Sequence, residues 1–204
     1  MTAISHLDEP IDGRTARAVR TRDAIVDACL GLIDEGDLRP TGPRIAERAG
    51  VSVRSVFQHF DDLETLFSAV GSRVAHRMST IVTPIDPAAP LAHRLDAFVA
   101  QRSEVLESLT PVLRAALVYA ASSAVITRQF EEGQDLFRRQ VTEVFGSELA
   151  GAPDPDRLSD ALVAGSSWPA WDMWRSREER SLHEASQSMR WVIAAALAAS
   201  GSVV

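Results

Sequence analysis

Apolar side chains recur along this chain at helical intervals, and strand-like alternation never runs beyond four or five residues. Ile25, Ala28, Cys29 and Leu32 mark a first helix that stops near Gly36. Thr41 stands where a second helix needs its cap, with Pro43 tolerated in the first turn and Ile45, Ala46 and Ala49 facing inward. Gly50 turns the chain, and Ser52 caps a third helix in which Val56, Phe57 and Phe60 pack back while Val53, Arg54 and Gln58 point out. "DDLETLF" opens a fourth, because Asp61 and Glu64 have capping-box spacing. Its apolar face is Leu63, Leu66, Phe67, Val70, Val74 and Ile81, and "TPIDPAAP" (83–90) breaks it.

Leu91, Leu95, Phe98, Val99, Val105, Leu106 and Leu109 predict a fifth helix, and Pro111 opens a separate sixth that runs to Tyr119. Ile126, Phe130, Phe137, Val141, Val144 and Phe145 predict a seventh, ended by "GSELAGAPDPD". An eighth covers 155–175, kinked at Pro169, and a ninth 182–199. Nine helices joined by short loops make an all-α protein.

Charge divides this chain. It has 21 basic and 28 acidic residues, a net of -7, and every basic residue is arginine. Residues 14–59 hold eight arginines and six acids, residues 60–204 hold 13 and 19, and residues 1–13 carry three acids alone. A polyanion responds to the local potential of the face it meets more than to the total. The segment with the helix–turn–helix spacing is the one with a basic excess. The single cysteine, Cys29, excludes a disulfide framework and a cysteine zinc site. The longest uncharged apolar run in the last third, Trp191 to Ala199, is far short of a bilayer span. Nothing at the start combines a basic region with an apolar core, so a cytoplasmic protein is expected.

"AIVDACLGLIDEG" followed by "TGPRIAERAGVSVRSVFQHFDDLETLF" resembles the N-terminal domain of the TetR family of transcriptional regulators. The shared features are an apolar first helix ending in Glu-Gly, Thr41 four residues before Ile45-Ala46, then Ala-Gly-Val-Ser and the closing His59-Phe60. The resemblance implies a flexible tail over 1–13, a helix-turn-helix DNA-binding domain over 14–60 and a helical effector-binding and dimerisation domain over 61–204. Two positions depart from the family pattern: a tyrosine is replaced by Phe57 and a lysine by Leu63, so two phosphate donors are missing.

A third helix seated in the major groove presents Val53, Arg54 and Gln58 to base edges. Two readings stand open for Arg54 and for Val53: the Arg54 fork meets both acceptors of a guanine or pairs with an acid such as Glu47, and Val53 meets a thymine methyl or is a bystander on a short helix. Substitute phosphate contacts are Thr41 and Arg44 on the second helix, with Ser52, Ser55 and His59 on the third. His59 also ties the turn to the fourth helix. For Arg14, Arg17, Arg20 and Arg22 two readings stand open: they reach an adjacent minor groove, or they solvate the start of the first helix.

The rest of the chain needs a second role. From Ala161 to Trp174 the only charge is Asp172, and Trp168, Trp171 and Trp174 share the segment. A helix apolar nearly all round must be covered on more than one side, so Leu162, Trp171, Val192, Ala196 and Leu197 are expected at a homodimer interface. Phe98, Arg102, Tyr119, Phe130, Phe137 and Trp168 are expected to line an effector site. No phosphate loop, metal spacing or clustered histidine set appears, so no catalytic residue, metal or cofactor is expected. The expected protein is a repressor dimer, released from an approximately palindromic double-stranded operator by a small, mainly apolar molecule. The alternative is a helical ligand-binding or protein-docking module whose helix-turn-helix has lost DNA binding.

Overall fold

The computed structural model describes residues 13–120 and 123–201, and within them every regular element is helical. The chain forms α1 (Gly13–Asp34), α2 (Gly42–Ala49), α3 (Val53–His59), α4 (Leu63–Ile81) and α5 (Leu91–Ala120). It continues as α6 (Ala124–Gly151), α7 (Pro155–Gly165), α8 (Trp168–Asp172), a π turn (Met173–Arg177) and α9 (Leu182–Ala199). The all-α expectation is correct. None of these helices is long and apolar enough to cross a membrane. The chain divides into two compact units, one running to Val70 and the other from Gly71, so the division falls within α4 rather than at its start.

In the first unit α1 begins at Gly13 and carries the arginines of "GRTARAVRTR" on the same helix as the apolar run; the rest of the expected tail lies outside the described residues. Ile25, Cys29 and Ile33 of α1 are buried with Ile45, Val56 and Phe60, and α1 packs on α2 and α2 on α3. Gly36 has φ 93°, where a side chain would be strained, and this lets the chain leave α1 in a tight turn. Thr41 occupies the cap position of α2, but its side chain makes no capping hydrogen bond. At α4 the cap is Asp62, not Asp61: its Oδ1 accepts from the Thr65 amide at 2.7 Å.

The second unit departs from the sequence pattern twice. Pro111 does not start a helix; α5 runs through it. The proline leaves the Glu107 carbonyl without its usual donor, and Leu106 and Ala115 are buried on either side of it. Thr110 Oγ1 donates to the Leu106 carbonyl at 2.7 Å. The segment expected as one helix over 155–175 is instead broken at Gly165–Ser167. Ser167 caps a new helix with Pro169 in its first turn, where a missing N–H costs nothing. Gly165 allows α7 to approach α9 closely, since a Cβ there would stand 2.7 Å from Val192 Cγ1.

Trp168, Trp171, Met189, Ile193 and Leu197 join Phe98, Leu106 and Phe145 in the core of this unit. Arginine–carboxylate forks tie the elements. Arg175 grips Glu107 at 2.6 and 2.9 Å while the Trp171 indole donates to the same carboxylate at 3.1 Å. Arg114 holds Asp172 at 2.6 Å. Arg94, buried on α5, meets both oxygens of Glu148 at 2.8 and 2.6 Å and donates to the Val144 carbonyl, beside the non-helical kink at Phe145.

The Arg94 guanidinium holds the Glu148 carboxyl below its ordinary range. A carboxyl depressed by folding adds stability above its unfolded pKa, and that stability is lost as pH falls through the folded value. Chemical denaturation should therefore show the chain weakening below the ordinary carboxylate range. Arg94→Met should cost about 3 kcal/mol at neutral pH, because it strands a half-buried carboxylate, and should flatten part of the acid loss. An equally steep acid loss in the variant would contradict the role given to this pair.

Candidate nucleic-acid interface and effector site

The third helix is only seven residues long, and its two faces are unlike. Val56 and Phe60 are fully buried, whereas Val53, Arg54, Phe57 and Gln58 are exposed. Ser52 caps it, its Oγ accepting from the Ser55 amide at 3.1 Å. Phe57 thus corrects the sequence reading, in which it packed inward. It lies one helical turn from Val53, on the outer face, and its ring edge rests over Gly42, where a Cβ would stand 3.1 Å away. Arg54 makes no ion pair with Glu47 or any other acid among the described residues.

The arginines of this unit divide by task. Arg22 donates to the His59 carbonyl at 2.8 Å, and its guanidinium carbon sits 4.1 Å above the Phe60 ring. It pins the end of α3, a role that neither the minor-groove nor the solvating reading of the arginine run gave it. Its signal was there: Arg22 stands three and four residues before Ile25 and Val26, on the inward face of α1. Arg44 pairs with Asp37, and Arg48 forks onto Glu35 at 2.7 and 2.8 Å. Arg20 is exposed on α1.

Arg14, Arg17, Ala18 and Thr21 of α1 face Val51, Ser52, Ser55 and His59 across an open cleft of about 480 Å³. Three expected phosphate contacts, Ser52, Ser55 and His59, therefore meet two arginines of the N-terminal run. Thr41, Arg44, Val53, Arg54 and Gln58 lie outside this cleft. Arginine forks, hydroxyls and an imidazole around one hollow form a donor set suited to phosphate oxygens.

In the helical unit the expected effector residues separate. Phe98 is buried edge-on against Phe145, with centroids 5.2 Å apart. The Arg102 guanidinium stacks between Phe98 at 4.9 Å and Phe137 at 4.1 Å. It donates to the Ser166 carbonyl at 3.3 Å, the Phe137 carbonyl at 3.2 Å and Gln140 Oε1 at 2.7 Å. Burial pushes this guanidinium down to about 9, which leaves it charged at neutral pH. Trp168 shares the core cluster with Phe98, and Phe137 packs against it; Tyr119 and Phe130 are half-buried and fall outside that cluster.

The expected interface residues also separate. Leu162, Trp171 and Leu197 are fully buried within the single chain, because the stripe that looked available for a partner closes on α5 and on the other helices of its own unit. Val192 and Ala196 are half-buried and pack against the same core, Val192 lying on α7 at Gly165. Trp191, which the sequence reading passed over, is 72% exposed.

Residues 25–70 match the family model described as bacterial regulatory proteins of the tetR family. About nine-tenths of the chain is similar in fold to solved structures. A transcriptional regulator from Rhodococcus sp. Rha1 has 20% identity and a TM-score of 0.67, over 92% of this chain and 99% of that one. A TetR transcription regulator from Haloarcula marismortui has 19% identity and a TM-score of 0.65, over 89% and 98%. No curated protein matches the chain.

Two substitutions distinguish the cleft from the outer face of α3. Arg17→Ala should weaken duplex binding several-fold for all sequences alike, since a phosphate contact carries no sequence information. Arg54→Ala should instead lose roughly 1–3 kcal/mol of discrimination between sequences. Mobility shifts at one salt concentration, with matched and scrambled duplexes, measure both. The opposite pattern would exchange the assigned roles.

Proposed function

We propose that this chain, a TetR-family transcriptional regulator by its N-terminal domain, is a homodimeric repressor that leaves its operator when a small, mainly apolar molecule enters the helical unit. The carrying observation is the outer face of α3. Val53, Arg54, Phe57 and Gln58 stand free of the core on a helix whose other side is fixed. This is the arrangement a recognition helix needs to meet base edges in the major groove. Exposed Val53 and Phe57 supply apolar contact for thymine methyls, and Arg54 supplies the fork for guanine. The neighbouring cleft supplies phosphate donors that the missing tyrosine and lysine do not.

A partner subunit is assigned to the outside of α9. Trp191 and Ala195 are exposed there, at the edge of the half-buried Val192 and Ala196, while Ala161 and Ala164 are exposed on α7, the helix packed against it. Small residues around one large apolar anchor suit close helix packing, and a second copy of the same face is self-complementary under two-fold symmetry. Two such subunits would place the copies of α3 about 34–36 Å apart, one DNA turn, or at a multiple of it. A ligand changes operator affinity only so far as it binds the two helix spacings unequally.

Selection from random duplexes should enrich an approximately palindromic site. Failure to enrich any sequence would favour the helical ligand-binding or docking module without DNA binding. Sedimentation should find a dimer at micromolar concentration, and Trp191→Asp should make it monomeric while the fold survives. A monomeric wild type would overturn the assembly.

A further inference from the structure

Two arginines are buried among the described residues, and their surroundings differ in kind. Arg94, 4% exposed, receives both oxygens of a carboxylate, Glu148. Arg102, 1% exposed, receives none: its acceptors are the carbonyls of Ser166 and Phe137 and the side-chain amide of Gln140. Burying an ionised group without an opposite charge is costly, and a guanidinium does not readily escape by losing its proton. The unit thus supplies a carboxylate where an arginine clamps helices together and supplies neutral dipoles at 102. Two aromatic faces, Phe98 and Phe137, flank the charge, and Phe137 is half-buried, so the guanidinium is covered on that side by a ring that also reaches solvent.

We propose that Arg102 is the recognition group for an effector carboxylate, and that the effector is a monocarboxylic acid with an apolar or aromatic body. This rests on the ligand-responsive reading above and gives its ligand a chemical class. The guanidinium fork matches a carboxylate with two parallel hydrogen bonds. A monoanion suits this place better than a phosphate dianion, which would lose more hydration between Phe98 and Phe137. Of the three present acceptors only Gln140 is a side chain, and it is the one a ligand displaces most easily. Gln140 Nε2 in turn donates to Gln101 Oε1 at 2.5 Å, and Gln101 Nε2 donates to the Thr83 carbonyl and hydroxyl at 2.9 and 3.1 Å. Thr83 lies just past the end of α4. Exchange of Gln140 for a ligand carboxylate therefore disturbs the hydrogen bonds that secure the segment after that helix.

The test compares acids with their primary amides on the full chain, using hydrocinnamate against hydrocinnamamide and octanoate against octanamide. Tryptophan fluorescence and calorimetry read the binding directly. The acids should bind at least ~tenfold more tightly than the amides, the ratio expected for a charge-assisted hydrogen bond. Arg102→Gln, which keeps neutral donors for the two carbonyls, should bring that ratio to about one, and Arg102→Lys should retain part of it. Equal binding of acid and amide by the wild type would overturn the proposal, as would a ratio that survives Arg102→Gln. So would the absence of binding by both acids at about millimolar concentration. Failure here is separable from failure of the repressor reading. Acid-specific binding through Arg102 with operator affinity unmoved supports the site and contradicts release. A protein that binds an operator but neither acid contradicts the site alone.

Discussion

A helix of seven residues has no stability of its own in water, so the orientation of α3 is set by the few contacts that hold its inner side. Val56 and Phe60 supply the buried area. Arg22 supplies the directional part, donating to the carbonyl of His59 and lying over the ring of Phe60. A guanidinium above an aromatic face adds attraction beyond the area it covers, and its hydrogen bond ends α3 at a defined point. Everything assigned to the outer face follows from this. Val53, Arg54, Phe57 and Gln58 face outward because the opposite side is anchored, and α4 starts only three residues after Phe60.

The same chemistry explains how an acidic chain carries a basic function. Its acids pair with arginines that serve the fold: Glu35 with Arg48 and Asp37 with Arg44 in the first unit, Glu107, Glu148 and Asp172 with Arg175, Arg94 and Arg114 in the second. Such pairs fix geometry more than they add stability, particularly those at the surface. Arg14 and Arg17 line an open cleft with Ser52, Ser55 and His59. Net charge describes the whole chain, whereas the proposed phosphate contact is made at that cleft alone.

Helix positions were legible in the sequence wherever apolar spacing and end signals agreed, as at Gly50 and Ser52 or between Ile81 and Leu91. They were misread where one local signal was weighed alone. Pro111 read as a start, but α5 runs through it, with Leu106 and Ala115 buried on either side. Pro169 read as a kink, but Gly165 and Ser167 had already ended one helix and capped the next. Phe57 was assigned inward by hydrophobicity, although its spacing from Val53 set it outward. Leu162, Trp171 and Leu197 were assigned to a partner because one chain's own coverage of α7 to α9 is a long-range property that periodicity does not contain. Arg22 and Arg102 were named from the sequence, but what each one holds needed coordinates, since those partners stand more than thirty residues away.

On a chain of net charge -7, the proposed duplex binding runs through a local basic surface. Its most direct test is a titration of duplex affinity against salt. The account predicts a linear fall of log K with log salt between about 50 and 200 mM, with a slope equivalent to several released counterions. An affinity indifferent to salt over that range would contradict it.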